Sequence, residues 1–403
     1  MPSLRLFPLI LAAAAAPALA QTAAPPAPPV QAPAAVPAPA PVSADWKRRD
    51  AEDLLAFVEA IGEEGLDPAD YRPGDLRQAI ETGDEPLDTI ATAVFLKVSS
   101  DLMFGHVRGD ARIDWHVQDD SWNVYDQQSL LDRALAGPGI ADTLRSLLPT
   151  HPQYEGLKAQ LATATDPALK QRIRVNMDRW RWLPRDLGQK YVIVNVPAYT
   201  VALVEDGQVL SRRRAVAGAI KTPTPQLSAT ITGAIFNPWW EVPASIAPEV
   251  RGKKGYVTAK TPEGGVRYRQ PPGPSNALGR VKLVMPNRHA IYLHDTNARN
   301  LFNRQARAFS HGCIRTEDAV GFAETLLEGT EWDRPKIDQT IASGKATQAN
   351  MAAPVPVYIV YFTVASTSDA PGLVSYKDMY GRDGKVVAAL TDRSSSALAS
   401  AED

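Results

Sequence analysis

The residues best suited to chemistry lie in the stretch FSHGCIRTED, residues 309–318, which holds the single cysteine of the 403-residue chain. A thiolate nucleophile needs a partner that accepts and returns a proton, and imidazole has a suitable pKa for that exchange. His311 is two residues from Cys313, so on a tight turn its side chain diverges from the thiol. His294 ends a predicted strand in IYLHDT and can approach from that neighbouring strand. We therefore predict Cys313 as the nucleophile and His294 as the general base.

The turn that carries Cys313 is predicted to favour a reactive thiol. Gly312 allows a tight turn and a close approach of substrate to backbone N–H groups, which can stabilise an oxyanion. A helix is predicted over 317–328 with Thr316 as its N-cap. Its partial positive charge, together with Arg315, is expected to favour the thiolate.

The same residues also allow two other roles for Cys313, a buried inert residue and a zinc ligand. A buried, inert cysteine is an open alternative, because a His followed by a Cys nineteen positions later is weak evidence as spacing alone. A zinc site is disfavoured because the cluster has no CxxC or HxxxH spacing. A single cysteine excludes a dithiol redox role, and we expect neither a metal nor an organic cofactor.

The first twenty residues are typical of a secretory signal. Arg5 is followed by an apolar run over 6–16 and by Ala-Leu-Ala at 18–20, which is a small-x-small cleavage pattern. The residue after the predicted cut near Ala20 is Gln21, so lipid modification of a cysteine is excluded. A free, exported protein of the periplasm is expected. An unpaired thiol is a liability in an oxidising compartment, so we expect Cys313 to have a function there.

The regions flanking the folded part are predicted to be disordered. Residues 21–44 consist almost wholly of Ala, Pro, Val and Gln, a composition that favours an extended tether, and residues 393–403 are predicted to form a disordered tail. The chain as a whole carries 43 basic and 45 acidic residues, so it lacks the basic surface that nucleic-acid binding requires.

The elements that must position the candidate residues divide into a helical and a β-rich part, which predicts an α+β fold. An α-helical scaffold domain is expected over 45–172, with Leu54, Phe57, Val58 and Ile61 forming one apolar stripe. The predicted helices cover 50–61, 75–81, 88–104 and a region around 129–148.

A β-rich catalytic domain is expected over 173–392, entered through Trp180 and Trp182 as core anchors. Residues 242–279 are rich in Gly, Pro, Lys and Arg and are predicted to form a cap loop over the site. The predicted strands cover 191–196, 199–204, 229–236, 281–285, 290–293 and 355–364, followed by a hairpin that pairs 373–380 with 385–390.

These motifs resemble a known family. SHGCIR preceded by IYLHDT is similar to the signature of the L,D-transpeptidase catalytic domain, of YkuD type. Five further segments resemble the large periplasmic YcbB-like branch of peptidoglycan enzymes: NMDRWRWLP at 176–184, YVIVNVPAY at 191–199, NPWWEVP at 237–243, PPGPSNALGRVK at 271–282 and PVPVYIVYFT at 354–363. The chain departs from that branch in two ways, since it has a short cap and no room before residue 176 for an inserted peptidoglycan-binding module.

The resemblance implies a reaction and a set of partners. The cysteine of such enzymes attacks the carbonyl between diaminopimelate and the terminal D-Ala of a tetrapeptide stem, and an amine of another stem resolves the thioester. The acceptor is left open among a 3-3 link, a 1-3 link and water, the last giving an L,D-carboxypeptidase. A non-catalytic peptidoglycan-binding scaffold is the alternative of another class. Free D-amino acids are implied as further substrates and carbapenem-type β-lactams as inhibitors.

The resemblance also implies roles for individual residues. Cys313 is matched to the nucleophile and His294 to the base, with the backbone carbonyl at Asp295 as the third partner. The N–H groups of Gly312 and Cys313 are matched to the oxyanion hole. The remaining positions are expected to line the site or to bind substrate: Ser310, His311, Arg315 and Tyr292.

Overall fold

The computed structural model describes residues 44–82, 86–117, 119, 126–261, 264–367 and 370–392. The predicted signal peptide, the predicted tether up to residue 43 and the predicted tail lie outside the described residues. Within them a helical region precedes a β-rich region, as the α+β prediction requires.

The helical region is built on the predicted apolar stripes. Leu54, Phe57, Val58 and Ile61 are all at most 8% exposed. The helix predicted around 129–148 is instead two helices, because Gly-Pro-Gly at 137–139 interrupts it. The elements are α1 (Arg48–Ala60), α2 (Pro73–Thr82), α3 (Pro86–Phe104), the short strand β1 (Trp115–His116), α4 (Asp126–Ala136), α5 (Ile140–Arg145), α6 (Pro152–Thr163) and α7 (Pro167–Arg181).

The apolar character of α3 is explained by packing. The segment Leu87–Ala111 is long and apolar enough to cross a membrane by length and composition. Val94, Phe95 and Val98 are at most 1% exposed within the core of the helical region. A buried core helix meets the same criteria of length and composition.

Helix α7 joins the helical region to the β-rich region and runs through the expected boundary at residue 172. Trp180 stacks between His151 and Phe362, with ring centroids 4.2 and 4.7 Å away. Trp180 and Trp182 are 3% and 4% exposed, which confirms both as core anchors. The Asn176 side chain donates to Thr363 Oγ1 at 3.0 Å and accepts from the Thr363 N–H at 2.9 Å. The two regions therefore share a packed interface.

The β-rich region contains the strands that carry the candidate site. Its elements, in chain order, are β2 (Lys190–Asn195), β3 (Thr200–Glu205), β4 (Gln208–Gly218), β5 (Gln226–Phe236), β6 (Trp240–Glu241), α8 (Ala247–Val250), β7 (Val257–Lys260), β8 (Val266–Gln270), β9 (Val281–Val284), β10 (Leu293–His294), β11 (Ala308–Ser310), β12 (Ile314–Thr316), α9 (Ala319–Leu326), α10 (Arg334–Ala342), β13 (Thr347–Val360), β14 (Val364–Thr367), β15 (Ala370–Ser375) and α11 (Asp383–Thr391).

The main sheet closes on itself. Among the described residues its strand order is β5-β13-β2-β3-β4-β12-β10-β9, and β9 also pairs with β5. Side chains alternate between the two faces of each strand, so one face of this ring is filled by apolar residues. Val192, Leu203 and Ile314 lie there at 0% exposure, together with Phe322 from α9.

The predicted C-terminal hairpin is wrong. Strand β15 pairs with β14, and the segment predicted as the second hairpin strand is helix α11. Val386 and Leu390 are four residues apart, so they share one helical face, and that face packs against Trp182 and Val175. Apolar residues at this spacing fit a helix better than the alternation of a strand.

The predicted strand over 290–293 is also shorter than expected, since β10 begins at Leu293. The cap is more regular than the predicted loop. Strands β6, β8 and β7 form a separate three-stranded sheet, and α8 lies beside it. Val242, Ile246 and Val250 form its small core. Its strands are short and mostly exposed, so they carry little apolar alternation that would identify them in the sequence.

Candidate active site

Three neighbouring strands place the candidate residues in one row. His294 on β10 is the register partner of Arg315 on β12 and of Lys282 on β9. Register partners on adjacent strands present their side chains on the same face. Tyr292 lies two residues before His294, and its ring centroid is 5.6 Å from the His294 ring. The imidazole is therefore flanked by two cations.

The other face of these strands anchors the row in the core. Leu293 and Ile314 are 0% exposed and belong to the main core cluster. The Ile314 N–H donates to the Tyr292 carbonyl at 3.0 Å, which fixes the start of β12 against the chain entering β10. Because Cys313 directly precedes Ile314, burial of Ile314 positions the candidate nucleophile.

Cys313 itself lies on a tight turn that requires glycine. Gly312 has a φ of +111°, and a Cβ at this position would lie 3.2 Å from Ile291 Cδ1. The thiol is partly exposed, and its Sγ lies 3.7 Å from the Ala290 carbonyl oxygen. The sequence prediction of a glycine turn that presents the thiol agrees with this geometry.

Ser310 stabilises the turn. Its hydroxyl donates to the Cys313 carbonyl at 2.5 Å and accepts from the Gly312 N–H at 3.1 Å. The Gly312 N–H is thus already used, whereas the Cys313 N–H has no hydrogen-bond acceptor within the part of the chain that the structure describes. Of the two predicted oxyanion donors, Cys313 is the one whose N–H is available.

The segment 218–224 supports the turn from behind, which the sequence analysis missed. Thr224 is 0% exposed; its hydroxyl donates to the Gly312 carbonyl at 2.8 Å and accepts from the Gly218 N–H at 2.9 Å. Thr222 Oγ1 donates to the Ser310 carbonyl at 3.0 Å. Thr and Gly are common in loops, so residue type alone gives no signal for this contact.

His294 is neutral in this environment. Burial and, to a smaller extent, the positive charges of Arg315 and Lys282 lower its pKa to about 3, against the opposing effect of the neighbouring Asp295 and Leu278 backbone groups. A neutral imidazole can accept a proton. The backbone of Asp295 lies beside the ring, but the buried Nδ1 of His294 makes no hydrogen bond within the described residues, so the role that the resemblance implies for this carbonyl stays a prediction.

The side chain of Asp295 has a separate, structural role. It accepts from the Arg280 N–H at 2.9 Å and forms an ion pair with Arg299 at 3.0 Å. A Cβ at Gly279 would lie 2.4 Å from its Oδ2, so only glycine permits this close approach. Asp295 therefore holds the segment around residue 280 against the strand that carries His294.

The predicted activation of Cys313 by a helix is wrong. Helix α9 begins at Ala319 rather than at residue 317, its N-cap is Asp318, and Thr316 belongs to β12. Burial raises the pKa of the Cys313 thiol, and Tyr292, Lys282 and Arg315 only partly oppose it. The resting site therefore pairs a thiol with a neutral imidazole.

His311 contacts the cap rather than the thiol. It is exposed, and its Nε2 lies 3.0 Å from Glu249 Oε1 on α8. This contact links the turn that carries Cys313 to the helix beside the cap sheet. Among the described residues, no group of three or more His, Cys, Asp or Glu side chains is arranged to hold a metal ion.

Comparison with known proteins agrees with this reading of the fold. Residues 189–353 match the model of the L,D-transpeptidase catalytic domain, YkuD, and residues 42–161 match the model of the Scaffold domain. A curated protein of Haemophilus influenzae, named "Putative L,D-transpeptidase", is 28% identical over 299 residues. The match covers 67% of this chain and 58% of that relative, so the chain spans little more than half of the relative's length.

Solved structures of similar proteins include two L,D-transpeptidases. That from Mycobacterium smegmatis is 15% identical, with 43% of this chain and 58% of that chain covered and a TM-score of 0.24. A mutant of the Enterococcus faecium enzyme is 14% identical, with 44% and 52% covered and a TM-score of 0.24. From the matching domain models, the chain combines an N-terminal Scaffold domain with a catalytic domain of the L,D-transpeptidase family.

Proposed function

We propose that this protein is a peptidoglycan L,D-transpeptidase whose nucleophile is Cys313. The observation that carries the proposal is the arrangement of three strands: a partly exposed thiol on the glycine turn that leads into β12, and on the neighbouring β10 a buried, neutral His294 with a cation as register partner on each side. This arrangement provides a nucleophile, a proton acceptor and positive charge for an anionic substrate.

In the first half-reaction the Cys313 sulfur attacks the carbonyl carbon between diaminopimelate and D-Ala of a donor tetrapeptide stem. His294 takes the thiol proton as the carbon–sulfur bond forms and gives it to the leaving amine as the carbon–nitrogen bond breaks. Because the resting thiol is protonated, proton transfer accompanies attack. The Cys313 N–H is the backbone donor available to the oxyanion.

In the second half-reaction an amine of another stem attacks the thioester. His294 accepts a proton from that amine and returns it to the departing sulfur, so the enzyme is regenerated without any cofactor in the scheme. We assign the side-chain amine of diaminopimelate as the acceptor, which gives a 3-3 cross-link. Free D-amino acids carry the same attacking group and are expected to exchange.

Inhibition follows from the same chemistry. A thiol that accepts an acyl group from a stem peptide is expected to accept one from the strained carbonyl of a carbapenem-type β-lactam. Intact-mass measurement of the protein with a carbapenem should show one adduct, and the adduct should be absent from Cys313→Ala.

Export to the periplasm is part of the proposal, since the substrate lies there. The support is the N-terminal pattern of one basic residue, an apolar run and a small-x-small site at 18–20. Fractionation of cells that produce the full chain should place the mature protein in the periplasmic fraction, with its N-terminus at Gln21.

The deciding experiment is mass spectrometry of residues 21–403 incubated with disaccharide-tetrapeptide, run beside Cys313→Ala. We expect a dimer lacking one D-Ala, with fragmentation that places the new amide on the diaminopimelate side chain, and no product from the variant. The fold of the variant is checked by its unfolding temperature.

The other outcomes separate the alternatives. An amide on the stem's N-terminal L-Ala would establish a 1-3 link, and tripeptide alone would establish an L,D-carboxypeptidase. Full activity of Cys313→Ala would refute the mechanism. Binding of the muropeptide without turnover by either protein would favour the non-catalytic scaffold.

A further inference from the structure

Lys282 is a cation of the site to which the sequence assigned no role. It is the register partner of His294, and its Nζ lies 4.0 Å from the centroid of the Tyr292 ring. Its charge also acts on Cys313. The side chain is therefore on the reacting face of β9, close to both the nucleophile and the base.

Lys282 has no anionic partner among the described residues. Glu241 is the one acidic side chain whose field contributes to it, and Glu241 already pairs with Arg269 at 2.6 Å. Burial lowers the pKa of Lys282 because its ammonium group is partly removed from water. A partly desolvated ammonium that rests on an aromatic ring retains N–H donors for an anion from solution.

A pocket next to Lys282 adjoins the nucleophile. Its volume is about 240 Å³. Ala290, whose carbonyl oxygen faces the thiol, and Tyr292 both line it. The other described walls are apolar apart from Asn287: Ile235, Val284, Met285, Pro286 and Ile291. One cation among apolar walls suits a small ligand that has a carboxylate and an aliphatic group.

The two cations that flank His294 match two carboxylates of the donor stem proposed above. In a stem that ends in diaminopimelate-D-Ala, one carboxylate belongs to the side chain of the third residue and the other to the terminal D-Ala. The terminal carboxylate is bonded to the carbon that carries the scissile nitrogen, so it must lie close to Cys313 during attack. Arg315 and Lys282 offer one cation on each side of His294.

Resting on the proposed function, we propose that Lys282 binds the terminal carboxylate of the donor stem and that the adjoining apolar pocket receives the D-Ala methyl group. Arg315 is left for the carboxylate of the third residue. The site then cleaves only the bond next to a free chain end, because an internal residue has no carboxylate for Lys282. Lys282 is a specificity-determining residue in this role.

A different role for Lys282 makes different predictions. If it served only to stabilise the Cys313 thiolate, its loss would slow the reaction of every substrate and would also slow alkylation of the thiol. If it binds the leaving group, its loss affects substrates with a terminal carboxylate selectively and appears mainly in KM. The two roles are separable by substrate and by a reagent without a carboxylate.

The test compares disaccharide-tetrapeptide with the same compound ending in D-alaninamide. Release of D-Ala or D-alaninamide is measured for the wild-type protein, Lys282→Gln and Lys282→Arg. The control is Lys345→Gln, which removes an exposed lysine that is not among the residues assigned to the site. A charge-assisted hydrogen bond leads us to expect a wild-type preference for the free acid of about 10- to 100-fold. The preference should collapse in Lys282→Gln, survive largely in Lys282→Arg and remain unchanged in Lys345→Gln.

Iodoacetamide alkylation of Cys313 is measured in parallel, because this reagent carries no carboxylate. Equal wild-type turnover of acid and amide would overturn the carboxylate site while leaving the transpeptidase intact. Equal loss of both substrates in Lys282→Gln, together with slower alkylation, would also overturn it in favour of thiolate stabilisation. No release of D-Ala from the free acid by the wild-type protein would refute the proposed function itself, and the carboxylate site with it.

Discussion

Replacing Thr224 with valine should destabilise the turn of the nucleophile while preserving the shape of the side chain. The hydroxyl donates to the Gly312 carbonyl at 2.8 Å and accepts from the Gly218 N–H at 2.9 Å. Thr224 is 0% exposed, so water does not reach the position of its hydroxyl and cannot replace either hydrogen bond. Thr224→Val therefore leaves two backbone groups without their partner.

The magnitude follows from the cost of an unpaired buried group. Each costs about 1–3 kcal/mol, so Thr224→Val should lower the free energy of unfolding by about 2–6 kcal/mol. The lower end applies if the loop shifts enough to recover one bond. Because Gly312 directly precedes Cys313, we also expect D-Ala release to fall by about tenfold or more, since small displacements of reacting groups are costly.

The assay is urea unfolding combined with D-Ala release, with Thr340→Val as the matched control. Among the described residues the Thr340 hydroxyl makes one hydrogen bond, to the Lys336 carbonyl within α10 at 2.8 Å. The control should lose less than about 1 kcal/mol and keep full activity. A Thr224→Val protein with the stability and activity of this control would refute the reasoning that segment 218–224 holds the turn.

Two further predictions concern the thiol and its turn. Gly312→Ala must hold a φ of +111°, so it should lose about 1–3 kcal/mol of stability and most D-Ala release, and unchanged urea unfolding would contradict this. Because the pKa of Cys313 is raised, iodoacetamide alkylation at pH 7 should be slower than that of free cysteine and should keep increasing above pH 9. A rate plateau in the acidic range, typical of a preformed thiolate-imidazolium pair, would show that the site ionises before substrate binds.

The proposed nucleophile and base could be predicted from residue types, but the cations that flank His294 could not. A lone thiol after glycine and a histidine at a strand end are local patterns, and the fold places both on one face. The pairing of Lys282 with His294 depends on the register between β9 and β10. Register is a long-range property that a single sequence does not specify where strands are short.

The helix start after Cys313 shows how pairing overrides local signals. The sequence analysis predicted Thr316 as the N-cap, and Asp318, the observed N-cap, is an equally acceptable residue type. Thr316 pairs with Ala215 of β4, so the chain stays extended until Asp318 caps α9. The partial positive charge of the helix is therefore too far along the chain to act on the thiol as predicted, since that effect fades within the first turn.

Burial is the main cause of the lowered pKa of His294, but the two cations next to it allow the substrate to recover part of its basicity. Arg315 and Lys282 both disfavour the imidazolium in the empty site. If the terminal carboxylate of a donor pairs with Lys282 as proposed, that part of the unfavourable charge is cancelled, and the pKa of His294 rises by the contribution of Lys282, while burial and Arg315 continue to lower it. The base then strengthens when the correct leaving group is in place. A substrate ending in an amide cannot provide this change, so it should react more slowly even when its concentration saturates the site.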